Sequence, residues 1–408
     1  MSANSSRINE RLLLFVLAAV QFTHVMDFMI LMPLGSHLMR MFGITPAQFS
    51  HLVAAYSLSA AATGFAGGFF IDRLDRKRAL LFLYGGFILA TLACALANTY
   101  ALLLIARLAA GAFGGMAGSV VTAAVGDVFP PERRGTAMGV VMTAFPIASV
   151  LGVPAGLALA GIFEWHAPFY LLVGFSLIIG AIAWRVLPSL PPHPVSNSAV
   201  QQMREILTHG VHLRGFMLSA VLVFGGGCII PFMAPSLVAN SGLAETQLPL
   251  VYLFGGAFTF FTMPWFGRLA DRHDKLRVFL LVSCAAAVAV LILTNLSVVP
   301  VAVALAATTF FMIGMSGRFP PAMALITNSV DARYRGGFMS VNSAIQQGSG
   351  AVANTVAGLI VTMDPVSGRL LNYERAGWVS VTAFAIAVYL AARLRAAAPH
   401  ASAPGKMA

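Results

Sequence analysis

Thirteen of the chain's 14 aspartates and glutamates fall at the ends of long apolar runs or between them, while Asp27, in FTHVMDFMILMPL, lies deep inside one. A charged carboxylate there costs about 2.5–3.5 kcal/mol on an insertion scale, and packing has no need of one. Its natural chemistry is a protonation cycle: a carboxylate that meets and leaves a guanidinium releases and takes up a proton. His24 lies three residues earlier on the same helix face. It is placed either to hand that proton on or to bond a backbone carbonyl. Two arginines are interior as well, Arg107 in RLAAGAFGG and Arg318 in GMSGRFPPAMAL. Counted at ~1.5 Å per helical residue, Asp27, His24, Arg107 and Arg318 reach a similar depth. Pro320 and Pro321 free backbone carbonyls, so Arg318 either bonds those or meets a solute. With Asp27 ionised, −1 and two arginines leave the interior at +1. That sum favours a solute with anionic or acceptor groups over a dication.

A second polar set repeats every four residues in SVNSAIQQGSGAVANTVAG: Asn342, Gln346, Gly350 and Asn354. This is one helical stripe, polar and small, suited to hydrogen-bonding a polar ligand or to helix–helix adhesion. Met26, Met29 and Met32 near His24 have the softness of Cu(I) ligands, but the chain holds 19 methionines, and no metal site is expected. Gly225, Gly226 and Gly227 lack the following Lys-Ser/Thr of a phosphate loop. No zinc-binding HExxH and no nucleophile elbow occur. Neither enzyme chemistry nor a cofactor is expected.

The elements that carry these residues are membrane-spanning helices. Of 408 residues, 59% are apolar and 10% charged, too little charge for a soluble surface of this size. Runs of about 20 apolar residues, enough to cross a ~30 Å hydrocarbon core, recur along the chain. Twelve spans are expected, at roughly 12–36, 47–71, 77–97, 100–127, 136–161, 167–187, 213–239, 247–270, 277–295, 299–329, 337–362 and 376–394. The polar, Pro-rich stretch PSLPPHPVSNSAVQQMREILTHGVH divides them six and six, giving an N-terminal bundle 1–187, a linker 188–212 and a C-terminal bundle 213–408. The first apolar stretch is too long for a signal-peptide core and reads as a retained helix. Cys94, Cys228 and Cys284 all sit in apolar runs and suggest no disulfide framework.

The net charge of +11 has a topological reading. With the N-terminus inside, 20 of the 25 Lys and Arg residues fall on the cytoplasmic side, three outside and two within spans. Both termini are therefore expected in the cytoplasm, and no nucleic-acid partner is implied.

The chain repeats itself. A shift of 199 residues matches Gly43 to Gly242, Gln48 to Gln247, Gly68 to Gly267, Asp72 to Asp271 and Arg73 to Arg272; at 201 it matches Arg134 to Arg335 and Asp127 to Asn328. Ordered matches at a near-constant shift predict two homologous halves. The charged clusters GGFFIDRLDRKRALL and WFGRLADRHDKLRVFLL then close equivalent cytoplasmic loops. Gly68 and Gly267 precede the aspartates by one turn, where a small residue allows close helix approach. Asp72 and Asp271 can pair with arginines or cap a neighbouring helix. Such clusters either latch the halves together or serve as positive-inside anchors. Asp127 is placed to pair with Arg73, Arg133 or Arg134. Asp27 has Gly226 as its counterpart, so the duplicated scaffold does not demand an acid there.

On these motifs the sequence resembles the major facilitator superfamily of secondary transporters. The cluster Gly68, Asp72, Arg73, Asp75, Arg76, Lys77, Arg78 is similar to the family's loop 2–3 signature, with Asp75 in place of the usual second glycine. RLAAGAFGG resembles the fourth-span signature, which implies that Arg107 takes part in proton coupling. LGVPAG, with Gly152, Pro154 and Gly156, resembles the fifth-span antiporter signature, with Val153 separating glycine from proline. The nearest group is that of the twelve-span drug, sugar and nucleoside efflux proteins. The resemblance implies an all-α fold of two pseudo-symmetric six-helix bundles around a central cavity lined by spans 1, 4 and 10. It also implies a monomer in the inner (plasma) membrane that moves a small organic solute against protons by alternating access. An importer of the same fold is the rival expectation. A receptor or membrane-embedded enzyme is a distant third.

Overall fold

The computed structural model describes residues 10–70, 75–188, 198–331 and 334–398. Ten helical segments in it are long and apolar enough to cross a bilayer: Glu10–Ile30 (span 1), Arg76–Ala95 (span 3), Tyr100–Val128 (span 4), Thr136–Ile162 (span 5), Ala167–Val186 (span 6), Gly210–Ala239 (span 7), Glu245–Arg272 (span 8), Lys275–Thr294 (span 9), Val301–Asn328 (span 10) and Tyr373–Ala397 (span 12). Pro46–Phe70 (span 2, 25 residues) and Arg335–Ile360 (span 11, 26 residues) have spanning length as well. The twelve helices expected are therefore present.

Their ends explain the internal repeat. Gly43 and Gly242 both take positive φ, 61° and 77°, a conformation that favours glycine. Gln48 accepts from the N–H of Thr45 (2.9 Å) at the start of span 2, and Gln247 from the N–H of Ala244 (3.1 Å) at the start of span 8. Asp75 caps span 3 by accepting from the N–H of Arg78 (2.9 Å), and Asp274, 199 residues on, caps span 9 through that of Arg277 (3.0 Å). These acids serve as N-caps, one of the two roles open from sequence for Asp72 and Asp271.

Several spans are not continuous. Span 1 stops at Ile30, earlier than expected, and turns at Pro33 into a short helix, Gly35–Phe42. Span 5 widens into a π-turn over Ala148–Gly152, span 7 breaks between Gly227 and Ile230, and span 10 breaks at Arg318. In each case a proline opens the next segment: Pro154, Pro231 and Pro320. Lacking an N–H, proline withholds a hydrogen bond from the preceding turn.

Spans 1–6 pack among themselves, chiefly 2 on 4, 3 on 4 and 6, and 1 on 6; spans 7–12 do so through 7 on 11 and 12, 8 on 10, and 9 on 10 and 12. The two sets meet along spans 2 and 11 and along spans 5 and 8. The contact is tightest at the face away from the arginine-rich loops. There Gly358 of span 11 lies so close to Ser50 and Ala47 of span 2 that a Cβ would have no room. Phe49 and Phe232 meet edge to face at 6.0 Å, and Arg40 pairs with Glu245 across the divide. At the basic face, the ion pairs among the described residues stay within one set: Arg76–Asp127 (2.8 Å), Arg133–Glu10 (2.7 Å) and Arg395–Asp274 (2.8 Å).

A two-residue hairpin, Thr362–Met363 against Leu370–Leu371, joins spans 11 and 12. Asn240, past the end of span 7, grips it by donating to the Leu370 carbonyl and accepting from the Leu370 N–H, both at 2.8 Å. In the hairpin loop the Ser367 hydroxyl and the Val366 N–H donate to Asp364 and hold its carboxyl below the usual range.

Candidate functional site

Span 1 carries Asp27 and span 4 carries Arg107, and the fold brings them together. Nη1 of Arg107 donates to Oδ2 of Asp27 at 2.8 Å and to the Asp27 carbonyl at 3.0 Å. Both side chains are wholly buried. Oδ1 of Asp27 and Nε and Nη2 of Arg107 have no hydrogen-bond partner among the described residues. The pair is thus held through a single guanidinium nitrogen, Nη1, which reaches both the carboxylate and the backbone of residue 27. Tyr56 of span 2 lies under the guanidinium, 4.6 Å from ring centroid to Cζ, a cation–π contact that supports a buried charge. Its hydroxyl donates to the His24 carbonyl at 3.2 Å.

His24 sits one turn from Asp27 on the same face, buried, with Nε2 unpartnered among the described residues. Its ring does not bond a backbone carbonyl, which is one of the two readings open from sequence. Room for it comes from span 4. A Cβ at Gly118 would come within 3.0 Å of His24 Cε1 and 3.6 Å of Gln21 Oε1. At Gly114 one would lie 2.7 Å from the Tyr56 hydroxyl, and at Gly111 it would strike the Tyr56 carbonyl. Gln21, His24 and Asp27 therefore form a polar ladder laid in a glycine groove. Tyr56, Gln21 and Gly118 are members that sequence reasoning misses. The glycine spacing after Arg107, at four, seven and eleven residues, is their signal.

Span 5 backs the pair. A Cβ at Gly152 would meet Met26 Sδ at 2.6 Å, and one at Gly156 would meet Ile30 Cδ1 at 2.6 Å. Pro154 lies between them at the exit of the π-turn. Ser149 in that turn reaches Met29 Sδ (3.8 Å) and packs against Gly256 of span 8. Span 5 thus touches the helix bearing Asp27 and the opposite set of spans at once.

Arg318 is not part of this cluster. Its contacts all lie in the second set: Nη1 to Met315 Sδ at 3.7 Å, and the guanidinium over the Phe384 ring at 3.6 Å. It does not bond the carbonyls freed by Pro320 and Pro321; Nε and Nη2 have no partner among the described residues. The span 11 stripe faces several neighbours. Asn342 is buried with Oδ1 unpartnered among the described residues, and Gln346 donates towards Met323 Sδ at 3.6 Å. Asn354 packs at Gly227, where a Cβ would lie 3.5 Å from its Oδ1.

The charged clusters are partly described. Asp127 pairs with Arg76, not with Arg133, which bonds Glu10 instead. Burial decides this, because Arg76 is 4% exposed and needs a counter-charge. Asp271 and Arg272 are exposed at the end of span 8. Gly267, expected at a close helix approach, has nothing within 4 Å of a Cβ among the described residues. Gly68 lies in the helix Pro46–Phe70, whereas Asp72, Arg73 and the side chain of Arg134 fall outside the described residues.

A twelve-helix membrane body in two packed sets, with an ion pair buried between spans 1 and 4, is the architecture expected of a membrane transporter. The model for the Major Facilitator Superfamily matches residues 17–354 and again 216–403, and the chain belongs to that family. It is 27% identical over 349 residues to YceJ, an MFS-type transporter of Bacillus subtilis, covering 84% of this chain and 87% of that one. It is 26% identical over 210 residues to a "Probable sugar efflux transporter" of Helicobacter acinonychis, about half of each chain (50% and 51%). Among solved structures, a bacterial homologue of the human lysosomal transporter Spinster, inward-facing and occupied, superposes with a TM-score of 0.73 at 15% identity, covering 98% of this chain and 99% of that one. The same homologue in its unoccupied form gives 0.69 at 16%. These last two speak to the fold.

Proposed function

We propose that this transporter is a proton-coupled exporter of a small organic solute, with the Asp27–Arg107 pair as its coupling centre. The observation that carries the reading is the pair itself: one fully buried carboxylate, held by one arginine across two spans. Protonating Asp27 releases Arg107, and deprotonating it restores the bond. His24, laid in the glycine groove one turn away, relays the proton. Arg318, Asn342, Gln346 and Asn354 supply the solute-binding face in the second half.

The body is two six-span halves, 1–187 and 213–408, joined by the linker 188–212, and works as a monomer in the inner membrane with both termini in the cytoplasm. Tight contact between the halves at the face bearing Gly358 and Ser50 supports an inward-open state. In the opposite state Gly68, Asp72, Arg73, Asp127 and Arg134 meet Gly267, Asp271 and Arg272 as the cytoplasmic gate. Export is favoured over import by the likeness of Gly152, Pro154 and Gly156 to the antiporter signature, with Gly152 and Gly156 packed against span 1, and by the efflux proteins among the relatives.

The test uses proteoliposomes or inverted vesicles of known orientation. Asp27→Asn abolishes accumulation driven by a pH gradient while retaining solute exchange. Full gradient-driven accumulation by that variant refutes the coupling role, and accumulation in the opposite orientation assigns import.

A further inference from the structure

The geometry points to Arg318 as the seat of an anionic headgroup, and to the transported solute as a small organic monocarboxylate with an apolar body. This rests on the reading of the chain as a solute transporter and adds the class of solute. Arg107 and Arg318 are both wholly buried, but they are balanced differently. Arg107 has Asp27. At the repeat-equivalent position the second half has Gly226, and its acids all lie at span ends or in loops. A buried cation without an acid of its own takes its counter-charge from what binds there.

The vacant edge of the guanidinium narrows the class. Nε and Nη2 are the two unpartnered nitrogens among the described residues, and together they form the side-on fork that receives both oxygens of a carboxylate. One negative charge balances the site, whereas a phosphate dianion exceeds it and a halide uses half the fork. The walls are apolar: Phe384 lies flat on the guanidinium and Met315 flanks Nη1. The span 7 glycines make room for both walls. A Cβ at Gly225 would meet Phe384 Cε1 at 2.5 Å, and one at Gly226 would meet Met315 Cε at 2.7 Å. The triple glycine, which fits no phosphate loop, thereby gains a purpose. Met315, flexible and polarisable, is the side chain that swings to admit the ligand.

The experiment measures thermal stability and titration calorimetry on the purified full-length protein. The probes are benzoate, cinnamate and octanoate, each beside its neutral amide, with chloride and inorganic phosphate as controls. The carboxylates raise the melting temperature and the amides do not. Arg318→Gln weakens carboxylate binding by at least ~30-fold. Arg318→Met, which removes an uncompensated buried charge, melts at or above the wild type when empty and loses the carboxylate response. The inference is overturned if acids and amides act alike, if no acid in the panel shifts the melting temperature, if chloride or phosphate reproduces the effect, or if Arg318→Met still responds. Asp27→Asn keeps carboxylate binding while losing gradient-driven transport, so a failure here and a failure of proton coupling are separately visible.

Discussion

The buried pair makes a quantitative demand on stability. In Asp27→Asn, Arg107 stays charged and keeps its 3.0 Å bond to the residue 27 carbonyl but loses its counter-ion; in Arg107→Met, Asp27 is left alone. Breaking one side of a buried ion pair costs about 3–5 kcal/mol. For 408 residues at about 2.1 cal/mol/K each, the unfolding entropy is ~0.9 kcal/mol/K, so each single variant melts roughly 3–6 °C lower. The amide introduced by Asp27→Asn still accepts from Arg107, so the loss in that variant sits at the low end of the range. In the double variant no charge is stranded, and most of the loss is recovered. A double-mutant cycle by thermal unfolding in detergent therefore yields a coupling of at least ~2 kcal/mol. Additive losses, or a double variant below both singles, would refute the claim that each charge is buried on the strength of the other.

Three further outcomes follow from geometry. Gly118→Val drives methyls into His24, 3.0 Å from the Cβ position, and lowers gradient-driven transport at least ~10-fold with solute binding unchanged; Gly174→Ala, where no described atom lies within 4 Å of the Cβ position, changes neither. Glu245→Gln removes the ion pair between two half-exposed side chains (59% and 37%), worth at most ~1 kcal/mol. It raises labelling of a Ser50→Cys background from outside by no more than about fivefold. Asn240→Ala removes two 2.8 Å bonds to Leu370 at a cost of ~1–3 kcal/mol, read as faster amide exchange at Leu370 and Leu371.

Much of this is legible in the chain. Apolar runs announce spans because they match the hydrocarbon core, and Asp27, the one acid inside a span, announces that an arginine meets it; Arg107 and Arg318 stand at similar depth, and the fold selects Arg107. The end of span 1 is not legible: residues 31–34 are apolar enough to continue it, and only the turn at Pro33 shows that they do not. The sequence offers Arg73, Arg133 or Arg134 to Asp127 and passes over Arg76, which holds it, while Arg133 goes to Glu10. Pairing follows burial, which sequence distance does not reveal. Tyr56 is invisible for the same reason, since an aromatic in an apolar run gives no hint of the cation it lies beneath. Gly267 misleads because a glycine one turn before an aspartate marks room for a neighbour, not the presence of one.

In the proposed rocking of the two halves, the line where Gly358 meets Ser50 is the pivot, at one edge of the body. With a hydrocarbon core of ~30 Å, a tilt of about 10° there carries the far ends of the helices roughly 5 Å apart. Side chains near the fulcrum scarcely travel, so glycine and serine suffice, whereas the far rim must bridge a changing gap. Only long, jointed groups such as arginine keep a grip across such a swing, so leverage as well as topology asks for them at that end.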